Sequence, residues 1–167
     1  MKILGKIIGL LTLICYLLIL LVLVVAAPMV AGYKTVVVLT GSMEPVYPVG
    51  SVIYYKTTSF DKINVGDVIS FSVNDDSRTV VTHRVYAKEN SSREFITKGD
   101  ANATPDSNPV AITNVKGKVI EYHIPYAGYF VRYIQNYFII GSIFLILVAK
   151  VAFDNLADRK EESEKTS

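Results

Sequence analysis

Two long apolar runs mark the ends of the chain, and short alternating segments fill the stretch between them. Residues 7–33 carry no charged side chain over 27 positions, and residues 133–149 carry none over 17. A helix needs about 20 apolar residues to cross a bilayer core of roughly 30 Å. The second run approaches that length if Lys150 snorkels and the segment continues to Phe153. The pattern predicts a transmembrane anchor within 1–32 and a second transmembrane helix over 129–153.

The flanking residues bear on the orientation of these segments. Lys2 and Lys6 precede the first run, so the positive-inside rule places the N-terminus in the cytoplasm. A cleavable signal peptide is the alternative, but its apolar region is normally about 7–15 residues long. The second run could instead be an amphipathic helix on the membrane surface. Four tyrosines recur at its start as an interfacial belt would: Tyr126, Tyr129, Tyr133 and Tyr137.

The middle of the chain, 33–128, predicts a small β domain. It consists of short segments rich in Val, Ile, Tyr and Thr that turn residues separate, including Asn74-Asp75-Asp76, and no ten-residue helical pattern occurs in it. The predicted strands are 36–39, 51–56, 67–73, 79–88, 94–98 and 116–124. The highly charged residues 154–167 predict a disordered cytoplasmic tail.

Composition narrows the class of protein. Only 19% of the 167 residues are charged, against about 25% in a soluble domain. The net charge is +2, from 17 basic and 15 acidic residues, and no basic block suggests a nucleic-acid partner. The single cysteine, Cys15, excludes an internal disulfide and is expected to be a packed thiol in the first helix. No spacing of His, Cys or acidic residues indicates a metal, and no cofactor is predicted.

Candidate chemistry lies in three segments of the β domain. Ser42 follows Gly41 in a sharp turn after a predicted strand, where an exposed nucleophile or a simple turn residue could lie. His83 shares a strand face with Val81 and Val85, so it is either a core histidine or a general base. Two acids, Asp100 and Asp106, lie in the loop after a strand, and either could orient the imidazole. His123 is interpreted as structural.

Six boxes in order make the resemblance to a known family specific. They are GSMEP (41–45), GDVISF (66–71), THRV (82–85), TKGDANATPD (97–106), KGKVI (116–120) and IPYAGY (124–129). Together they resemble the signal peptidase I family, in the branch found in the endoplasmic reticulum, in archaea and in some Gram-positive bacteria. After the first box the family often has Gly-Asp, where this chain has Gly50-Ser51.

The resemblance implies a mainly β, signal-peptidase-like domain between two transmembrane helices. It implies a membrane-bound serine endopeptidase that removes signal peptides from exported preproteins at the outer membrane surface. Ser42 matches the nucleophile, His83 the general base, Asp106 the acid of the triad and Asp100 a second functional acid. The Ser42 N–H and the Thr40 Oγ match the oxyanion donors, and the substrate-binding residues are left unassigned.

Other classes of function are weighed against this one. A membrane-anchored β module that only binds a partner would not need these four residues together. A transport subunit is excluded because the spans carry no acidic residue. The second span favours a bacterial or archaeal cell-membrane enzyme, with the domain outside the cytoplasm, over an endoplasmic-reticulum subunit. Whether the enzyme acts alone or in a complex stays open.

Overall fold

The structure is a computed structural model that describes residues 2–73, 79–134 and 136–165. It comprises two compact units. One unit contains residues 25–130, and the other contains the described residues before 25 and after 130. The predicted turn at Asn74-Asp75-Asp76 lies outside the described residues.

The unit of residues 25–130 is built on a seven-stranded sheet in which all neighbouring strands are antiparallel. The order across the sheet is β1-β2-β7-β3-β4-β5-β6. The strands are β1 (Lys34–Val37), β2 (Val52–Lys56), β3 (Val68–Ser72), β4 (Val80–Glu89), β5 (Glu94–Lys98), β6 (Val110–Ala111) and β7 (Val115–Ile124). The predicted fold class, a mainly β domain flanked by two apolar helices, is confirmed.

Two strands differ from the sequence prediction. The first strand is predicted at 36–39 but lies at Lys34–Val37, where it pairs with β2 at the edge of the sheet. Leu39 is 74% exposed, because the chain has already left the strand there. Strand β6 has only two residues, too few to show an alternating pattern, so the sequence did not predict it.

Apolar side chains pack on both faces of the sheet. Along β3, Val68 belongs to one cluster, whereas Ile69 and Phe71 belong to the other, as strand alternation requires. The cluster on the Ile69 face also includes Phe60, Ile63, Val85, Phe95 and Val110. The cluster on the Val68 face includes Met43, Tyr47, Ile53, Tyr55 and Val119. The central strands are therefore held from both sides.

Within the described residues the α-helices are α1 (Lys2–Val30), α2 (Ala127–Ile134) and α3 (Tyr137–Lys165). In the part of the chain that the structure describes, two stretches are long and apolar enough to cross a membrane, Ile3–Val30 and Tyr137–Leu156. In the second unit α1 packs on α3, since a Cβ at Gly5 would lie 3.2 Å from the Phe153 ring. Cys15 is buried, as the sequence predicts.

The C-terminal segment forms two helices where the sequence predicts one over 129–153. Helix α2 ends at Ile134 and α3 begins at Tyr137, because Asn136 begins a new helix. Its Oδ1 accepts a hydrogen bond from the Phe138 N–H at 2.9 Å, as an N-cap does. The helix then continues to Lys165, so predicted disorder from residue 154 onwards is wrong up to that point. Glu, Lys, Ala and Arg, which favour helices, dominate that stretch.

Candidate active site

Ser42 is presented by a tight turn just beyond the edge strand. After β1 the Val38 N–H donates to the Ser51 carbonyl at 2.9 Å. The chain then forms one 3-10 turn over Gly41–Met43, in which the Met43 side chain is buried. That buried methionine anchors the turn, and the Ser42 side chain is left half-buried rather than enclosed.

His83 lies on β4 between two hydrogen-bonded neighbours, β3 and β5. Its partner on β3 is Ile69, and its ring meets the Phe71 ring edge-on at 6.3 Å between centroids. His83 is 9% exposed. Its Nε2 lies 3.2 Å from the Ser42 Oγ, close enough to accept the hydroxyl proton.

Asp106 holds the other nitrogen of the imidazole. Its Oδ2 lies 2.6 Å from His83 Nδ1 and also accepts a hydrogen bond from Thr97 Oγ1 at 2.6 Å. Asp106 is fixed in turn because its N–H donates to the Thr97 carbonyl at 2.8 Å. A carboxylate at Nδ1 leaves Nε2 free to accept a proton. The structure thus brings Ser42, His83 and Asp106 into one hydrogen-bonded series.

Sequence reasoning missed Thr97. It is fully buried on β5, two residues after the buried Phe95. A threonine at an inward position of an apolar alternation is a signal that its hydroxyl needs a partner. That signal could have identified Thr97. Its partner, however, depends on how the loop after β5 brings Asp106 back beside the strand.

The loop after β5 is tied directly to the serine turn. The Ala101 N–H donates to the Ser42 carbonyl at 2.9 Å, and the Asn102 N–H donates to the Gly99 carbonyl at 3.0 Å. Gly99 is required by close approach, since a Cβ there would lie 2.7 Å from the Ser42 carbonyl oxygen. The turn that carries Ser42 and the loop that carries Asp100 and Asp106 therefore form one connected structure.

Asp100 lies in a separate ion pair. Its two carboxylate oxygens accept hydrogen bonds from Arg84 Nε and Nη2, both at 2.7 Å. Arg84 Nη1 also donates to the Gly66 carbonyl at 2.7 Å. The hydrogen bond to Asp100 raises the pKa of Arg84 above its ordinary value. Asp100 thus binds the turn before β3 to the loop after β5 through Arg84, which sequence reasoning did not single out.

Thr40 and His123 are the remaining residues that the sequence analysis considers. Thr40 Oγ1 lies 3.4 Å from Ser42 Oγ. His123 is half-buried and packs edge-on against Tyr47, with 5.1 Å between ring centroids. Across residues 2–73, 79–134 and 136–165, no group of three His, Cys, Asp or Glu side chains is placed to hold a metal ion.

A cavity of about 840 Å³ lies beside the imidazole and the acid. Its walls include His83 and Asp106, the apolar side chains of Phe71 and Val81, and the loop residues 101–110. His83 and Asp106 therefore border open space and are not sealed in the core. A hydrogen-bonded serine–histidine–aspartate series of this kind can perform nucleophilic acyl transfer.

Comparison with known proteins identifies the family of this chain. A family model described as "Signal peptidase, peptidase S26" matches residues 10–96, which is more than half of the chain. Signal peptidase I W of Bacillus subtilis (strain 168) is 42% identical over 101 residues, covering 59% of this chain and 52% of that protein.

Two eukaryotic relatives also match this chain, and both are catalytic subunits of a signal peptidase complex. The signal peptidase complex catalytic subunit SEC11 of Verticillium alfalfae is 34% identical over 104 residues, covering 56% of this chain and 59% of that protein. The human catalytic subunit SEC11C is 37% identical over 75 residues, covering 42% and 38%. The chain spans about half the length of the curated relatives it matches. On the match of the family model, the chain belongs to the signal peptidase S26 family.

Proposed function

We propose that the chain is a membrane-bound serine endopeptidase that cleaves N-terminal signal peptides from exported preproteins. The observation that carries this proposal is the series Ser42–His83–Asp106, with contacts of 3.2 and 2.6 Å, in a member of a signal peptidase family. The substrates and the lipid bilayer are the partners that this activity requires.

The proposed reaction has two halves, the formation and the hydrolysis of an acyl ester on Ser42, and each member of the series takes part in both. As Ser42 Oγ attacks the scissile carbonyl carbon, its proton passes to His83 Nε2 and the carbonyl oxygen becomes an oxyanion. The Ser42 N–H and the Thr40 hydroxyl stabilise that oxyanion. His83 then returns the proton to the leaving amine as the C–N bond breaks, which leaves an acyl ester on Ser42. Water, deprotonated by His83, hydrolyses the ester and restores the serine.

The contacts of two lysines in the β domain support histidine, and not lysine, as the general base. Lys118 pairs with Asp67 at 2.7 Å, and Lys88 donates to the carbonyls of Phe60 and Ile63. A general base must lie within hydrogen-bond reach of the proton that it removes. Both ammonium groups are engaged by partners other than Ser42, whereas His83 Nε2 lies 3.2 Å from the Ser42 Oγ.

The test is cleavage of a preprotein by the full chain in membranes. Ser42→Ala and His83→Ala should each abolish cleavage while the sheet stays folded, because neither side chain carries much of the apolar packing. Lys118→Arg and Lys88→Arg are matched controls that keep the charge and should retain activity. An active His83→Ala enzyme, with one inactive and folded lysine variant, would contradict the histidine base. Full activity in Ser42→Ala would contradict the proposed function itself.

The proposed orientation places the β domain, predicted at 33–128, outside the cytoplasm. Its basis is Lys2 and Lys6 ahead of the first span. Asn90 lies in the exposed turn between β4 and β5, so a cysteine there is a suitable reporter. In cells carrying Asn90→Cys with Cys15→Ser, an impermeant thiol reagent added outside should label the protein. Labelling that requires opened membranes would refute this orientation, and with it the proposed site of cleavage at the outer surface.

A further inference from the structure

The chain passes from the first membrane helix to the sheet through three residues, Ala31 to Tyr33. Helix α1 ends at Val30, and β1 begins at Lys34. The connection is well ordered by hydrogen bonds, since the N–H groups of Ala31 and Tyr33 both donate to the Pro28 carbonyl at 3.1 and 3.3 Å. We call residues 31–33 the exit turn.

The exit turn has little freedom of its own. The Gly32 N–H donates to the Met29 carbonyl at 3.0 Å, and Gly32 has φ of +81°. A glycine in this left-handed conformation is the usual way to end a helix and redirect the chain sharply. The end of α1 and the start of β1 are therefore joined by a formed cap.

Tyr54 of β2 reaches back from the sheet to the helix. It is completely buried, and its hydroxyl donates to the Val25 carbonyl at 2.9 Å. Its ring stacks on Tyr122 of β7, with 5.8 Å between centroids. A buried phenol that donates to the backbone of a helix ties that helix to the strand that carries the ring.

Lys56, two residues further along β2, makes a second connection. Its Nζ donates to the Ala31 carbonyl at 3.3 Å and lies 5.2 Å from the centroid of the Tyr33 ring. The carbonyl groups at a helix C-terminus carry partial negative charge, which a lysine complements. The two side chains thus bind α1 on both sides of its last residue, Val30.

The two residues directly before this strand fix the segment that leads to Ser42. Ser51, which directly precedes β2, accepts the hydrogen bond from the Val38 N–H, and the Gly50 N–H donates to the Val38 carbonyl at 2.8 Å. Ser42 lies only four residues beyond Val38. Strand β2 and the two residues directly before it therefore hold both the end of the membrane helix and the segment that leads to the proposed nucleophile.

We propose that Tyr54 and Lys56 are positioning residues that set the height of Ser42 above the membrane. They thereby select which bond of an emerging signal peptide is cut. This rests on the proposed function. A signal peptide is held in the bilayer by its apolar segment, so the cleavable bond lies at a distance from the membrane that depends on the length of that segment. An enzyme whose nucleophile has a fixed height cuts best at one matching length.

The experiment compares two kinds of substrate for the full chain reconstituted in lipid vesicles. One is a short soluble peptide that contains the cleavage sequence and no apolar segment. The other is a series of membrane-inserted preproteins whose apolar segment is lengthened one residue at a time, with the cut identified by mass spectrometry. The variants are Tyr54→Phe, Lys56→Met and the double variant. Tyr86→Phe and Lys62→Met, both at exposed positions of the same unit, are the matched controls.

The expected result is a change for membrane-inserted substrates only. The double variant should cleave the soluble peptide within about twofold of the wild-type rate, because Ser42, His83 and Asp106 are untouched. It should cut the best preprotein about fivefold more slowly, the size of effect that the net value of one or two such hydrogen bonds allows. It should also accept a wider range of segment lengths, with more cuts displaced from the preferred bond.

Three results would overturn the proposal, and they are distinguishable. An unchanged length profile in the double variant would show that the two contacts do not set the height. An equal loss on soluble and membrane-inserted substrates would assign the two residues to stability, and the milder Tyr54→Phe variant decides this if the double variant unfolds. If the wild type cleaves neither substrate, the proposed function itself fails and this proposal fails with it.

Discussion

The two acids near the site make a sharp test, because the structure gives them different partners. Asp106 contacts His83 Nδ1 and Thr97 Oγ1, whereas Asp100 is engaged by Arg84 through two hydrogen bonds. Changing each aspartate to asparagine keeps the shape of the side chain and removes its charge. The two variants should therefore fail in different ways.

Asp106→Asn should act on the rate of cleavage. An amide in place of the carboxylate can present its NH₂ to Nδ1, which favours the tautomer whose Nε2 carries the proton and cannot accept another. In a comparable triad that loss costs about 10⁴ in kcat. The melting temperature should change little, because the Thr97 hydroxyl and the backbone bonds of Asp106 still hold the loop.

Asp100→Asn should act mainly on stability. It leaves the Arg84 guanidinium without its anionic partner, and the pair is only partly buried, with side-chain exposures of 35% and 15%. A fully buried pair would lose roughly 3–5 kcal/mol, and an exposed one about 0–1 kcal/mol. We expect about 1–3 kcal/mol, seen as a lower melting temperature with kcat reduced by less than about tenfold.

The assay is single-turnover cleavage of a fluorogenic peptide by the purified full chain in detergent micelles, with a melting curve for each sample. Wild type and a Glu94→Gln variant, which neutralises a distant carboxylate on β5, are the references. If Asp106→Asn cleaves at the wild-type rate while Asp100→Asn is folded and inactive, the assigned roles are reversed and the reasoning from these contacts is refuted.

Three further outcomes are expected. Thr97→Val should lower kcat by about tenfold, since it removes one charge-assisted hydrogen bond to Asp106; rates equal to wild type would show that the bond is dispensable. Gly99→Ala should lower kcat about 10²-fold, because its Cβ would displace the Ser42 carbonyl. The rate at which a serine-reactive probe modifies Ser42 would detect the change. Burial raises the pKa of the Tyr47 phenol above 10.0, so the folded state holds that proton more tightly than the unfolded chain. Its contribution to stability is present below pH 10 and is lost as the pH rises through the raised value. The melting temperature of Tyr47→Phe should therefore fall less steeply with pH in that range than the wild-type value. Parallel plots of melting temperature against pH would exclude this origin.

The sequence predicts those parts of the fold that depend on local pattern. The valines around His83 alternate with polar residues, and in the structure Val85 is buried while Val81 packs against the same cluster. The strands from β2 to β5 and β7 follow from similar runs of β-branched and aromatic residues. What local pattern could not give is the pairing between distant segments, such as the two-residue strand β6 or the start of α3 at Asn136.

The candidate site also has a part that the sequence predicts and a part that depends on contacts between distant segments. Ser42, His83, Asp100 and Asp106 are singled out by their boxes, but residue types alone do not say which acid meets the imidazole. That choice depends on where the loop after β5 returns, and the Asp106 N–H bond to the Thr97 carbonyl fixes it. Arg84 is missed because its role exists only once strand β4 lies beside the loop that carries Asp100.

The hydrogen bond between the Ala101 N–H and the Ser42 carbonyl has a consequence for how the site opens. The amide of the acid-bearing loop cannot exchange its hydrogen with water while the serine turn is in place. Any fluctuation that frees this amide also removes a support of the Ser42 turn. The Asp106 amide, which donates to the Thr97 carbonyl, reports on the other half of the same loop. If the two amides show equal protection relative to their intrinsic exchange rates, the turn and the loop open as one unit, and the fraction of time spent open is the fraction of time the site is disassembled.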